Sequence, residues 1–250
     1  MNNYFDKFNM TRESNIFLAK RDIVDLIWKS CHIEGINITF PETQRIYNGG
    51  NIARLRIDEI QTINNLKHAW NYLLNSLDTE DDINFIKSIN SLIGSNLIDR
   101  AGEIRIYEVK MGGTNWKPEI PDENKVKENL AIIKENATSI TDEAITKMLY
   151  LMKTQFFNDG NKRTSMLLAN KILISNGKGI LNIPIELDVK FGELLINYYE
   201  TNDMEKIKRF FYDNCLDGIN QDLQKGYVNK ISTNCKIEEN SQSDDDELEI

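Results

Sequence analysis

The sequence predicts one mostly α-helical domain with a single short β-hairpin. Three observations carry that expectation. Apolar residues recur three and four positions apart in most segments, as on a helix face. Only four prolines interrupt the 250 residues, so long helices are permitted. Period-two alternation is confined to residues 102–111, which run into Gly112-Gly113 as a strand runs into a turn.

Taken in order, residues 14–34 form the first helix. Ile16, Phe17, Ile23, Val24, Leu26 and Ile27 supply its apolar side, and Gly35 stands where a helix C-cap takes a left-handed residue. Residues 58–77 form the second, with Ile60, Ile63, Leu66, Trp70, Leu73 and Leu74 on one stripe, and residues 82–97 the third. After the alternating stretch, Asn115-Trp116-Lys117-Pro118 starts the return strand. Helices follow over 125–135, 141–154 and 164–176, with Gly177 as the stop, and then over 187–200 and 203–214. No repeat or low-complexity linker divides these elements, so residues 1–235 read as one domain.

Composition narrows the class. Hydrophobic residues are 40% and charged residues 28%, too apolar for a disordered chain. The net charge is −9, but residues 236–250 hold seven acids and one lysine, a net of −6 that leaves −3 for the rest. That stretch reads as a solvated, disordered acidic tail. The body has no basic stripe, which argues against nucleic acid. No apolar run approaches the ~18 residues of a membrane span. The first 20 residues show no secretory pattern, so a cytoplasmic protein is expected. Cys31, Cys215 and Cys235 have no CxxC spacing and read as reduced thiols. Abundant Asn, Ile and Lys suggest an AT-rich, bacterial genome.

The chemistry concentrates in residues 155–163, Gln-Phe-Phe-Asn-Asp-Gly-Asn-Lys-Arg. An apolar helix ends, a tight turn follows, and a new helix begins near Arg163. The first turn of a helix exposes backbone N–H groups that suit an anion. Gly160 permits close backbone approach, Asn161 offers an amide, and Lys162 and Arg163 add two cations. Asp159 is the one carboxylate beside them, and Mg²⁺ is usually held by one or two carboxylates plus phosphates. On this local chemistry alone, a plain helix–turn–helix connection remains open.

The segment resembles the Fic/Doc family signature, His-Pro-Phe-x-Asp/Glu-Gly-Asn-Gly/Lys-Arg, with Phe157, Asp159, Gly160, Asn161, Lys162 and Arg163 in register. Ala101-Gly102-Glu103-Ile104-Arg105 with residues 109–118 is similar to the family's β-hairpin flap, and Leu167-Leu168-Ala169-Asn170 to the helix after the signature. The resemblance spans roughly residues 13–216. It implies a Fic-type helical bundle that uses ATP and Mg²⁺ to transfer AMP to a Ser, Thr or Tyr hydroxyl. The protein substrate would dock on the 102–118 hairpin flap by strand pairing. Asp159 would hold the metal, and Gly160, Asn161, Lys162 and Arg163 the phosphates, with Asn161 and Arg163 also catalytic. Ser30-Cys31-His32-Ile33-Glu34-Gly35 fits the family's inhibitory pattern, Ser/Thr-x-x-x-Glu-Gly/Asn, in which the glutamate obstructs the γ-phosphate. A glutamate in a last helical turn faces the unfavourable end of the dipole, and a cation across the site would explain it. Tyr198-Tyr199 and Asn202 resemble base-pocket positions, though core aromatics on an amphipathic helix explain the tyrosines equally well. A homodimer is left open.

Two positions depart from the family pattern. Gln155 stands where the family has its general-base histidine, and an amide does not take a proton near neutral pH. Losing a general base costs about 10²–10⁴-fold. Met166 stands where the adenylylating branch has a second arginine, which leaves two alternatives: Glu34 pairs with Arg163 instead, or the inhibition is vestigial. Lys162, in place of the commoner Gly, leans toward the Doc-like branch that transfers the terminal phosphate. His32 and His68 are better read as structural than as replacement bases. Three readings follow: an attenuated AMP transferase, a catalytically silent nucleotide- or partner-binding pseudoenzyme, and a Doc-like protein kinase.

Overall fold

The computed structural model describes residues 4–219; the acidic tail and Cys235 lie outside them. The first helix, α1 (Arg12–Ile33), starts where the Thr11 hydroxyl accepts the Ser14 N–H at 3.1 Å. It ends in a Schellman turn: Gly35 N–H bonds to His32 C=O and Ile36 N–H to Cys31 C=O, with Gly35 at φ +74°. A short helix that the periodicity does not reveal follows, α2 (Phe40–Tyr47). Its signal lies at its start, where Pro41 sits in the first turn and the Glu42 carboxylate accepts the Thr39 N–H at 3.0 Å.

Next come α3 (Ile57–Asn75) and α4 (Ile83–Gly94), the latter capped by Asp82. After a long connection, α5 (Glu123–Asn136) and α6 (Ile140–Thr154) start on Asp122 and Ser139 caps. Then come α7 (Asn161–Ser175), α8 (Asp188–Thr201) and α9 (Glu205–Asn214). Among the described residues, no helix is long and apolar enough to cross a membrane.

The centre of the domain is α7. Only Lys162 and Ser175 of its 15 residues escape burial. It packs chiefly on α6 and also against α1, α3 and α4. Leu168 and Leu173 are fully enclosed, each burial contributing roughly 1.5–3 kcal/mol. A helix buried all round must satisfy its polar side chains internally. Asn170 does so by pairing with both backbone groups of Leu181 at 2.8 Å, and Lys171 by bonding to the Thr79 carbonyl beneath the Phe85 ring.

The expected class, mostly helical with one short strand pair, is the class observed, but other residues form the pair. Strand β1 (Ile180–Leu181) runs antiparallel to β2 (Leu216–Asp217). Residues 102–118, expected as a hairpin, are irregular, with a turn at 112–113, and form no ladder. The physical reason is Arg105. Its backbone N–H donates to Phe156 C=O at 3.0 Å. Arg105 is 1% exposed, and its guanidinium donates to the carbonyls of Gln155 (3.0 Å), Tyr107 and Glu119 (2.6 Å). The guanidinium thus gathers both arms of the flap onto the body, and the inward position of the alternation is a cation rather than an apolar residue.

Candidate functional site

The site begins at the junction of α6 and α7. Gln155 ends α6 in the left-handed region, φ 48°, and Gly160 opens α7 at φ +76°. A Cβ on Gly160 would lie 3.1 Å from Asn90 Nδ2 and 3.2 Å from Ile93 Cγ2, so both conformation and space call for glycine. The first intrahelical bond of α7 runs from Thr164 N–H to Gly160 C=O. The N–H groups of Asn161, Lys162 and Arg163 precede it and supply the positive end of the helix dipole.

Buried amides tie the turn down. Asn161 Oδ1 accepts the Phe157 N–H at 2.9 Å, and its Nδ2 donates to Phe157 C=O at 2.8 Å and to Gln155 Oε1 at 3.0 Å. Gln155 is 7% exposed, and its Nε2 donates to Met152 C=O at 2.7 Å and to the Tyr199 hydroxyl at 3.2 Å. Both amide hydrogens and the carbonyl oxygen of Gln155 are therefore engaged within the protein. Burial raises the Tyr199 phenol above its ordinary range, outweighing the hydrogen bond from Gln155, so it stays protonated and donates to Met152 C=O at 3.1 Å.

The end of α1 lies against this turn. Glu34, the residue that ends α1, sits 3.4 Å from the Arg163 guanidinium and 3.5 Å from Lys162 Nζ. Lys162 also donates to Ile33 C=O at 3.3 Å. Arg163 is 8% exposed and stands 3.7 Å from Asp159. Ser30, one turn before Glu34, lines a narrow recess with Trp70, Arg163 and Met166. Met166 is buried there and brings no charge to the site.

A cleft of ≈ 440 Å³ opens in front of these groups. Of the residues singled out in the sequence, Gln155, Asp159, Asn161, Lys162, Glu34 and Tyr199 line it. Flap residues Val109 to Gly112 form another wall, with Leu195 and Ile196 on the α8 side. Asn202 is elsewhere: it ends α8 at φ 60° and lines a separate cavity of ≈ 310 Å³ with Trp116, Lys153 and Tyr198. The stacked rings of Trp116 and Tyr199, 4.8 Å apart, bridge the two cavities. Lys153 donates to the carbonyls of Tyr198 and Tyr199 at 3.0 Å, closing the end of α8, and burial lowers its pKa. Neither His32, bonded to Ile38 C=O at 2.9 Å, nor the exposed His68 lines the cleft.

Asp159 has a largely exposed carboxylate, one oxygen of which accepts the Gly160 N–H. Among the described residues, no group of three or more His, Cys, Asp or Glu forms a metal cage. That donor set fits a cation held mainly by phosphates with one protein carboxylate.

Sequence reasoning missed the residue that holds this turn to the flap. Asn90 is fully buried on α4. It donates to Asp159 C=O at 3.0 Å and Thr164 Oγ1 at 3.1 Å, and accepts the Gly102 N–H at 2.9 Å. Its signal was a lone amide in the apolar run Ile86, Ile89, Asn90, Ile93.

A family model described as Fic/DOC family matches residues 80–173. The fold is shared with a segment of Fic-1 from C. elegans at a TM-score of 0.66 and 19% identity, covering 87% of this chain and 67% of that one. It is also shared with a Fic domain containing signaling protein from Bacteroides thetaiotaomicron, at a TM-score of 0.65 and 16% identity, covering 90% and 86%. A Fic family protein from Desulfovibrio desulfuricans aligns at a TM-score of 0.63 and 15% identity, covering 89% and 66%. No curated protein matches the sequence.

Proposed function

We propose that this chain, whose residues 80–173 match the Fic/DOC family model, binds ATP with Mg²⁺ in the ≈ 440 Å³ cleft. On this reading its transfer of AMP to a protein hydroxyl is attenuated by Gln155 and restrained by Glu34. The match to the family model supports nucleotide transfer at the family level. The finer reading rests on one observation: the helix N-terminus, Asp159, Lys162 and Glu34 converge on a single cleft beside Gln155.

The phosphates would lie against the N–H groups of residues 161–163, where the helix dipole and the Lys162 and Arg163 charges favour anions. Mg²⁺, when bound, would neutralise phosphate charge, with Asp159 as its protein ligand. Glu34 competes for the same two cations, so its presence weakens the terminal-phosphate site. Gln155 has both amide hydrogens and one oxygen lone pair engaged within the protein, and an amide cannot take the proton of a target hydroxyl. Transfer then relies on positioning and charge stabilisation, without the general-base contribution of about 10²–10⁴-fold. A protein substrate fits the flap, where Ile106 and Tyr107 are 61% and 47% exposed and the backbone forms no ladder.

A second reading, a silent nucleotide binder, is favoured by the full hydrogen-bonding of the Gln155 amide. A third, terminal-phosphate transfer, draws on Lys162. Label transfer from α- and γ-labelled ATP with Mg²⁺ separates them in a host lysate. The chains compared are native, Gln155→His, and Gln155→His with Glu34→Gly. Weak α-label from the native chain and strong α-label from the double variant are expected. γ-label alone would replace this reading with the kinase, and no label in any variant would leave the silent binder.

A further inference from the structure

Three cations border or back the cleft, and two are already engaged. Lys162 is held by Glu34 and Ile33 C=O, and Arg163 by Glu34 and Asp159 behind the surface. The third is Lys110, on the flap wall of the same cleft. It is exposed, and among the described residues it makes no ion pair or hydrogen bond.

Its place is fixed from both sides. Arg105 gathers the arms of the flap onto the α6–α7 turn. Next to Lys110, Met111 packs against the core, and Thr114 Oγ1 donates to Glu200 at 2.6 Å. A free ammonium on an anchored wall shares the cleft with Asn161 and Lys162 of the first turn of α7, so two walls of one cleft carry groups that favour an anion.

We propose that Lys110 is a phosphate-holding residue of this cleft, gripping the phosphate chain of a nucleotide from the flap wall. The inference rests on the nucleotide-binding reading above and deepens it. Met166 supplies no charge, and Glu34 occupies Lys162 and Arg163. Lys110 is then the cation that receives phosphates while α1 is docked.

Calorimetry on the full chain with adenosine, AMP, ADP and ATP, in Mg²⁺, tests this. Native, Lys110→Met, Lys110→Arg and Lys162→Met chains are compared, each also with Glu34→Gly. Lys110→Met should weaken ADP and ATP about two- to fivefold, the worth of one exposed ionic contact, and leave adenosine unchanged. Lys110→Arg should restore the native affinities. Because the side chain is exposed, the thermal midpoint should hold. Native affinity of Lys110→Met for ADP and ATP, while Lys162→Met weakens them, overturns the role of Lys110 and leaves nucleotide binding standing. An equal loss for adenosine overturns it too. No nucleotide binding by the native or the Glu34→Gly chain overturns both readings.

Discussion

The Glu34 carboxylate lies 3.4 Å from the Arg163 guanidinium, joining the end of α1 to the first turn of α7. The pair also bears on Cys31, one turn earlier and fully buried. Burial pushes the Cys31 thiol up to about 12, with Arg163 pulling it down and Glu34 raising it. A buried, un-ionised thiol reacts only when its helix opens. In a Cys235→Ser background, Cys31 and Cys215, whose thiol burial also pushes up to about 12, should resist an aromatic disulfide reagent. Glu34→Ala should loosen α1 by about 1–2 kcal/mol and speed Cys31 labelling about 5- to 30-fold, with Cys215 unchanged. Equal acceleration at both cysteines would mean that the pair stabilises the whole domain rather than docking α1.

Arg105 is a second tie, and its chemistry is unusual because no carboxylate faces it. Three carbonyls carry the buried guanidinium, and burial lowers its pKa. Arg105→Lys keeps the charge but cannot reach carbonyls in three directions. Arg105→Met strands all three. Each should cost about 2–3 kcal/mol in urea unfolding. Amide exchange should rise first over residues 103–119. Unchanged exchange there would show that the flap is held by something other than Arg105.

Much of this arrangement was legible in the chain. The long helices were, because apolar stripes such as Ile63, Leu66, Trp70 and Leu73 persist over several turns. α2 was not, because eight residues give too few repeats and its evidence lies in Thr39, Pro41 and Glu42. The hairpin was misplaced because Arg105 fills the inward position that alternation assigns to apolar groups. Residues 155–163 are contiguous, so their grouping followed directly. Asn90 came from a distant helix and was invisible to spacing. Tyr198 and Tyr199 were read together, yet neighbours on a helix point about 100° apart, and only Tyr199 reaches the cleft.

Gly160 offers a sharper test of the turn. Gly160→Ala forces a side chain into φ +76° and presses its Cβ on Asn90, which holds Asp159 and Thr164. The expected loss is about 2–3 kcal/mol. Gly113→Ala shares the φ of +76°, but its Cβ would meet only the tip of Ile196 at 3.1 Å. That variant should lose about 1 kcal/mol. Equal losses in urea unfolding would mean that backbone strain alone decides both, and that Asn90 yields freely.

Acid should act in part through two carboxylates away from the cleft, the buried Asp142 and the half-buried Asp81. Burial pushes the Asp142 carboxyl up, but bonds from Lys208 and then Thr138 outweigh it, leaving the pKa below its ordinary 3.8. Asp81 follows the same balance, with Lys147 outweighing burial. Because both folded values are depressed, the unfolded chain binds protons first as pH falls. The stabilisation is therefore complete above the ordinary carboxylate range and is lost as pH drops through about 4 toward the folded values. The thermal midpoint should stay level from pH 7 to about 5 and fall below that. Asp142→Asn should lower the midpoint at pH 7, since it leaves Lys208 half-buried without its partner, yet show a shallower fall in acid. The two curves should converge near pH 3. Parallel curves would sink the assignment, because they would place the acid-sensitive protons on other groups.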